Sequence, residues 1–425
     1  MVEEEAFFRI PFPGLNMNVH LSREIFSPRM LVAFLMGFAC GVPLLLTSSV
    51  LQAWMTEQGV DLSVIGLYSL VGLPYTLKFL WAPVFDRYTL PFFGRRRGWM
   101  LVTQLTLIVA LVALGLTDPG QTPWLVALAA FVVTFFSASQ DIVIDAYRRE
   151  DLSDHQLGLG SSLYVNGYRL GMLLAGSGGL ILADYLAFSQ VYALMAASLL
   201  VGVGTTLLCR EPPMTKGMPG TFREAIVEPF VEYFRRDHAL VLLLFILLYK
   251  IGDQMASTMT TPFYLALGFS KTQIGAVAKL FGFWSAIAGG LVGGAILLRA
   301  GIIRSLWVFG ILQAVAILSF SALALMGNTV VGLAIAIVLE QLTSGMGTSA
   351  YVAYMASLTN KRFTATQYAL LSSCMGIPRV IIAAPAGWMA ESVGWPLFFL
   401  GCTLAAVPGL LLLPLVAAQY RQDAQ

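Results

Sequence analysis

Nine ionisable side chains lie inside stretches of this 425-residue chain that are otherwise long and apolar enough to cross a membrane. They are Lys78, Asp141, Asp145, Arg169, Lys250, Asp253, Lys279, Glu340 and Arg379. A charge at the centre of a bilayer costs roughly 2.5–3.5 kcal/mol on insertion scales, so such groups face a bundle interior or a wet cavity. Two chemistries follow from their types. Carboxyl groups in a low-dielectric setting take up a proton readily, so Asp141, Asp145, Asp253 and Glu340 are proton-coupling candidates. Ammonium and guanidinium groups at similar depth attract anions, which makes Arg169, Lys250, Lys279, Arg379 and Lys78 candidate substrate-binding cations.

Spacing sharpens these assignments. Asp141 and Asp145 are four residues apart, so both carboxylates project from one helix face, with Gln140 beside the first. Ion pairing with Arg148, Arg149 or Arg169 to lock a gate is the structural alternative for both. Arg169 lies eleven residues into its span, about 16 Å from the end at 1.5 Å per residue. There it could bind an anionic substrate or neutralise Asp141. Lys250 and Asp253, at i and i+3, are neighbours on one face, and protonating Asp253 would free Lys250 for a substrate carboxylate. Glu340 sits near mid-span with Gln341 beside it; a static bridge to Lys250 or Lys279 is its alternative. Lys78 and Lys279 lie nearer helix ends and can snorkel. Arg379 follows Pro378, where a kink is expected, and gating is its alternative role.

The supporting elements are twelve membrane spans. Of all residues 58% are hydrophobic and 11% charged, the composition of a polytopic membrane protein. Spans are expected near 29–54, 62–85, 98–117, 124–147, 158–183, 189–208, 239–266, 272–298, 304–326, 329–355, 364–390 and 394–418. The organisation is then an N-terminal segment 1–28, a six-helix bundle 29–208, a linker 209–238, a second bundle 239–418 and a tail 419–425. With both termini cytoplasmic, nineteen Lys and Arg fall on the cytoplasmic side and only Lys271 on the other; five more lie within spans. The positive-inside rule therefore sets that orientation. In the linker, Phe222, Ile226, Phe230, Tyr233 and Phe234 recur at helical spacing opposite charged residues, so residues 221–236 are expected to form an amphipathic helix lying along the membrane surface and joining the halves.

Several classes are excluded. Cys40, Cys209, Cys374 and Cys402 form neither a CxxC pair nor an extracellular framework. His20, His155 and His238 all lie outside the spans, leaving no metal site and no histidine relay across the membrane. A net charge of +2 predicts no nucleic-acid partner, and no phosphate-binding GxxxxGK[ST] loop is present, so any transport is secondary and needs no bound cofactor. The start Met1-Val2-Glu3-Glu4-Glu5 lacks a signal peptide's basic region, so insertion is expected to rely on the first span.

The halves align weakly at an offset near 210, as parallel repeats with substrate bound between them. Arg169 falls on Arg379, a pair compatible with shared scaffolding. By contrast, Asp141 and Asp145 fall on Tyr351 and Met355, Lys250 and Asp253 on Cys40 and Pro43, and Glu340 on Ala130. Charges without a counterpart are the better functional candidates, because each half folds as the same bundle.

Particular motifs carry a resemblance from about Gly37 to Gly409. They include Gly41-Val42-Pro43, Leu51-Gln52-Ala53-Trp54-Met55, Ile65-Gly66, Pro74-Tyr75, Lys78-Phe79-Leu80-Trp81-Ala82-Pro83 and Asp86-Arg87-Tyr88. Gly94-Arg95-Arg96-Arg97-Gly98-Trp99, Ser137-Ala138-Ser139-Gln140-Asp141-Ile142, Gly167-Tyr168-Arg169-Leu170-Gly171-Met172 and Tyr249-Lys250-Ile251-Gly252-Asp253 belong with them, as do Gly345-Met346-Gly347-Thr348-Ser349-Ala350 and Ala365-Thr366-Gln367. Together these resemble the AmpG family of muropeptide permeases within the major facilitator superfamily. Tyr147-Arg148 stands where an aromatic residue and a lysine are common, and the extra C-terminal hydrophobic sequence of some members is missing.

The resemblance implies an all-α major facilitator fold with twelve transmembrane helices, and no enzyme. It also implies proton-driven import of anhydromuropeptides into the cytoplasm across a bacterial inner membrane, by a monomer in the lipid bilayer. Peptidoglycan recycling and, in bacteria that possess it, β-lactamase induction would follow. Asp86, Arg87, Arg95, Arg96 and Arg97 resemble the superfamily signature between helices 2 and 3, implying a latch between the halves, and Arg148 joins them as a gating candidate. For a sugar-rich anionic glycopeptide, Tyr75, Trp81, Gln140, Asn166, Tyr249, Gln254 and Tyr351 are candidate stacking or hydrogen-bonding partners. A related permease for a siderophore or an acyl-coenzyme A, or a non-transporting membrane sensor, is the competing reading.

Overall fold

The computed structural model describes residues 27–61, 64–65, 68–213, 221–236, 238–277 and 281–423; Lys279 and the side chain of Arg379 lie outside the described residues. Among the described residues the structure is helical, without strands. The first half contains α1 (Pro28–Glu57), α2 (68–87), α3 (Arg95–Gly115), α4 (Pro123–Asp151), α5 (154–183) and α6 (Phe188–Leu208). A surface helix, Phe222–Phe234, follows. The second half contains α7 (Ala239–Ala266), α8 (Lys271–Val277 and Phe283–Ala300), α9 (Ile302–Met326), α10 (Val330–Ser357), α11 (Thr364–Val393) and α12 (Trp395–Tyr420). Among the described residues, nine of these helices are long and apolar enough to cross a membrane, and the other three expected spans fall on α2, α5 and α11. The loops preceding α3, α5, α7, α9 and α11 share one end of the bundle, called the basic end below for its lysines and arginines.

Several of the helices are irregular. Pro43 interrupts the hydrogen-bond ladder of α1, Thr47 and Ser48 donate back to the Pro43 and Leu44 carbonyls, and a wide π turn follows at Leu46–Val50. A matching π turn at Leu174–Gly178 in α5 packs against it. α2 runs as short pieces, with Lys78–Leu80 forming a single 3₁₀ turn between Leu73–Leu77 and Ala82–Arg87. α7 breaks between Leu248 and Ile251, with Lys250 outside helical geometry at φ −103° and ψ 6°. Asp253 consequently lies in the first turn of the second segment, where a helix N-terminus favours a carboxylate.

The halves meet along α5 and α8, which run antiparallel from the basic end. Gly158 approaches Leu297, Ser162 donates to the Gly290 carbonyl, Asn166 lies on Gly290, and Arg169 donates to the Ala286 carbonyl at 2.6 Å. Glycine is required at this seam: a Cβ on Gly294 would lie 2.6 Å from the Ser162 Cβ, and one on Gly290 would lie 2.6 Å from the Asn166 Oδ1. Their neighbours Gly289 and Gly293 instead face α10, so each adjacent glycine pair serves one contact within the half and one between halves. α2 and α4 pack on α11 beside this seam.

Replacing Gly294 by leucine is expected to cost the closed seam roughly 1–3 kcal/mol, as overpacking does. Spin labels at Ser153 and Arg299, at the basic ends of α5 and α8, should then report longer distances than in the parent protein; an unchanged distribution would show that this seam does not hold the halves together.

Candidate functional site

The first charged cluster is built on α2 and α4. The short turn that interrupts α2 buries Lys78 against the face of α4 that carries Asp141 and Asp145. Lys78 exerts the leading attraction on Asp141, whose Oδ1 is buried without a hydrogen-bond partner. Asp145 differs: its Oδ1 lies 3.0 Å from Arg148 Nη2, so its principal cation is Arg148. That guanidinium also donates to Ser161 Oγ at 2.5 Å and to the Tyr368 hydroxyl at 3.0 Å, and it lies 4.6 Å from the Tyr164 ring centroid. Tyr368 belongs to α11, which makes Arg148 a tie between the halves.

Polar and aromatic groups surround this cluster. Gln140 Nε2 donates to Cys40 Sγ at 3.6 Å, while its Oε1 is buried without a partner. The Tyr75 hydroxyl donates to Ser137 Oγ at 2.9 Å, and Trp81 Nε1 to Ser139 Oγ at 3.0 Å. Trp81 also stacks on Phe135 with centroids 4.8 Å apart. The structure therefore assembles Lys78, Tyr75, Trp81, Gln140 and Asp141 at one interface.

The second cluster lies where α7, α9 and α10 meet. Lys250 Nζ is 3.1 Å from Asp253 Oδ2 and 3.1 Å from Gln313 Oε1. Glu340 lies beside Asp253 and experiences the charges of Asp253, Lys250 and Arg169. All four residues are buried. Arg169 reaches this cluster from the first half: its charge acts on Asp253 and Glu340, and its hydrogen bond goes to Ala286. The possibility that Arg169 neutralises Asp141 is thereby corrected. Position along a span specifies depth, but rotation about the helix axis decides the partner, and α5 presents this side chain to α8 and α10.

Gln313 was absent from the sequence-derived candidates, although an amide within the apolar ninth span is a visible signal. Helix α10 makes room for both cations. A Cβ on Gly347 would lie 2.8 Å from Gln313 Oε1 and 3.6 Å from Lys250 Nζ, and one on Gly345 would lie 3.1 Å from Arg169 Nη1. The motif Gly345-Met346-Gly347 thus accommodates a cation from each half.

Other candidates occupy different settings. Tyr249 and Tyr351 stack with centroids 5.5 Å apart, and their hydroxyls donate to the Leu306 and Ile246 carbonyls. They brace the core of the second half. Asn166 is buried in the seam with neither carboxamide atom paired, and Gln254 is half-buried on α7.

Asp86 closes the basic end. Its carboxylate accepts from the Ala365 and Thr366 backbone N–H groups at 3.2 and 2.8 Å, and from the Thr366 hydroxyl at 2.8 Å. These are donors of the first turn of α11, so the helix dipole adds to the hydrogen bonds. Arg96 fixes Asp86 from behind at 2.8 Å, and Glu150 binds both Arg96 and Arg95 at 2.5 Å. Arg97 donates to the Thr206 and Leu207 carbonyls, and the Arg87 guanidinium lies 5.4 Å from the Tyr88 centroid.

The sequence model of the Major Facilitator Superfamily matches residues 29–383. The anhydromuropeptide permease of Escherichia coli strain K12 is 46% identical over 400 residues, covering 93% of this chain and 81% of that protein. An uncharacterized protein of Haemophilus influenzae strain Rd is 41% identical over 419 residues, covering 96% and 99%. This chain is an AmpG-family permease of the major facilitator superfamily. The proton:xylose symporter XylE shares its fold, with a TM-score of 0.69 at 12% identity and coverage of 92% and 95%. The protein is a multi-pass membrane transporter rather than an enzyme.

In this AmpG-family chain, Glu150 anchors two buried arginines behind the Asp86 contact. Removing one partner of a buried charge network typically costs about 3–5 kcal/mol. Glu150→Ala should accordingly lower the unfolding midpoint of detergent-solubilised protein, followed by intrinsic fluorescence, well beyond the effect of Arg29→Ala, whose pair with Asp151 is half exposed.

Proposed function

We propose that this chain is a proton-coupled symporter that imports anhydromuropeptides from periplasm to cytoplasm across a bacterial inner membrane. The substrate class follows from the name of the 46% identical relative. Peptidoglycan recycling is its role in the cell, with β-lactamase induction where the host has that system. In this reading the chain works as a monomer, both termini and the basic end are cytoplasmic, and two six-helix bundles, 29–208 and 239–418, rock about the seam. The described contacts at the basic end then correspond to a state closed toward the cytoplasm.

The observation that carries proton coupling is the burial of two carboxyls, Asp253 and Glu340, at one site beside a single ion-paired lysine, Lys250. Neighbouring carboxylates repel when both are ionised, so a pair in one buried site suits sharing a proton. Asp253 meanwhile holds Lys250. When a second proton neutralises the pair, Lys250 loses its anionic partner and becomes available to a carboxylate on the substrate peptide. Arg169 loses its anions in the same event, which weakens an attraction across the seam and favours opening. Lys78 and Asp141, with Tyr75, Trp81 and Gln140, supply a second polar surface on the opposite half for the sugar and the rest of the peptide. Arg379 and Lys279 remain cation candidates by sequence position.

Proteoliposome uptake of labelled anhydromuropeptide, with and without an inward proton gradient, tests the proposal. Glu340→Gln and Asp253→Asn are expected to abolish gradient-driven accumulation while retaining counterflow, and Lys250→Ala to weaken both. Uptake by the parent protein that ignores the gradient would reject coupling. Competition by a siderophore or an acyl-coenzyme A, but not by muropeptide, would reject the substrate.

A further inference from the structure

The surface helix between the halves has three distinct faces. Thr221 caps it, accepting from the Glu224 N–H at 3.1 Å, and it continues to Phe234. One face, formed by Ala225, Pro229, Glu232 and Tyr233, turns toward the bundle, where the helix packs on residues 82–87 of α2 in the first half and on α11 in the second. A second edge carries Glu224 and Glu228, 3.9 and 3.2 Å from Arg362. The third face is apolar and uncovered: Ile226, Val227, Val231 and Phe234 are 38, 45, 37 and 51% exposed. At 100° per residue they fall within an arc of about 140°, with Arg223 and the partly buried Phe230 on the same arc.

Glu232 is the hub of the inner face. Its carboxylate accepts from the Gln367 amide, from Arg236 at 2.6 Å and from Asn360 Nδ2 at 3.4 Å. The same Gln367 amide donates to the Pro229 carbonyl at 3.1 Å. Gln367 directly follows Ala365 and Thr366, the two residues whose N–H groups bind Asp86. The first turn of α11 is thus gripped by Asp86 from the first half and by Glu232 from the connecting helix.

We infer that this helix is a membrane-seated strap that braces the closed basic end. Its apolar arc rests in the boundary between headgroups and acyl chains, while Glu232 and the Pro229 carbonyl hold α11 against Asp86. Lipid is the occupant indicated because membrane helices flank the strap on both sides: α6 ends at Leu208 and α7 begins at Ala239. An apolar face bordered by a charged edge is also a pattern of helices that lie in the interface plane. Releasing the strap from lipid or from Gln367 removes one of the two grips on the first turn of α11. Opening of the basic end therefore responds to the bilayer surface as well as to the pathway charges, whatever substrate is carried.

Two measurements on the full chain in nanodiscs test this. In a cysteine-free background, a fluorophore at Val231→Cys should be quenched by lipids spin-labelled near the headgroup several-fold more than one at Glu228→Cys. Equal quenching, or a Val231 probe shielded from aqueous iodide yet untouched by the lipid quencher, would overturn the lipid seat, the second outcome indicating protein cover. Spin labels at Thr89 and Lys361 should show Glu232→Ala, Gln367→Leu and the combined Ile226→Ser, Val227→Ser, Val231→Ser, Phe234→Ser variant shifting the ratio of open to closed populations by roughly tenfold, equivalent to about 1.4 kcal/mol. Unchanged distances in Glu232→Ala and Gln367→Leu protein that still elutes as folded material would overturn the brace, even if the fourfold variant failed to fold.

Discussion

An ionised group in hydrocarbon must have a partner, and the arrangement of this protein depends on that constraint. Asp145 has Arg148, Asp253 has Lys250, Glu150 has Arg95 and Arg96, and Asp86 has Arg96 with the α11 N-terminus. These pairs do not have one role. Where a charge is held by several fixed donors, as at Asp86, removing a donor leaves a buried charge exposed to full desolvation, so the contact resists change. At Asp253 and Glu340, by contrast, two buried carboxyls lie beside one lysine, which pairs directly with Asp253 alone. The same electrostatic rule thus produces a multiply bonded contact at one depth and a sparsely bonded cluster at another.

The two halves use this rule differently. In the first half Asp141 retains an oxygen without a hydrogen bond and Lys78 supplies its nearest strong attraction. In the second half the corresponding positions hold Tyr351 and Met355, and the hydroxyl of Tyr351 is spent on a backbone carbonyl inside the core. Charge in the second half sits instead at the break in α7, where Lys250 leaves helical geometry and Asp253 gains the N-terminus of the following segment. The asymmetry seen in the repeat therefore has a geometric counterpart: the first half presents Asp141 and Asp145 from a continuous helix, the second presents Lys250 and Asp253 from an interrupted one.

Hydropathy and spacing made the helical class legible, and the charges stood out because nothing in folding alone requires them. The shared face of Asp141 and Asp145, the Lys250 and Asp253 pair, and the surface helix near 221–236 were all readable from periodicity. Direction was not. Sequence specifies depth along a span, whereas partner choice depends on rotation about the axis and on which neighbour lies there, so Arg169 turned toward α8 and α10 rather than Asp141. The contact of Gln313 with Lys250 joins α9 to α7, and spacing within one span does not reveal it. Paired glycines permit close packing, but only the antiparallel register with α5 reveals that Gly290 and Gly294 serve the seam between halves.

A seam that must open cannot be bound too tightly, and its composition reflects this. α5 and α8 approach through glycines and backbone carbonyls, which give shape complementarity and few strong bonds. Ser162 and Arg169 each contribute one hydrogen bond to a carbonyl, and Asn166 between them is buried with both carboxamide atoms unpaired. Leaving a buried amide unsatisfied costs about 1–3 kcal/mol, comparable to the net gain from one or two ordinary hydrogen bonds. Asn166 therefore offsets much of what its neighbours contribute and brings the closed arrangement nearer in energy to one where its amide meets water. The firmer contacts lie nearer the basic end, at Asp86 and Arg148, where the groups that hold the halves together stand apart from the Asp253 and Glu340 pair. A seam of few bonds at mid-depth is thus separated from the more heavily bonded contacts at the end, and a change in charge partners at mid-depth meets less opposition than one at Asp86 would.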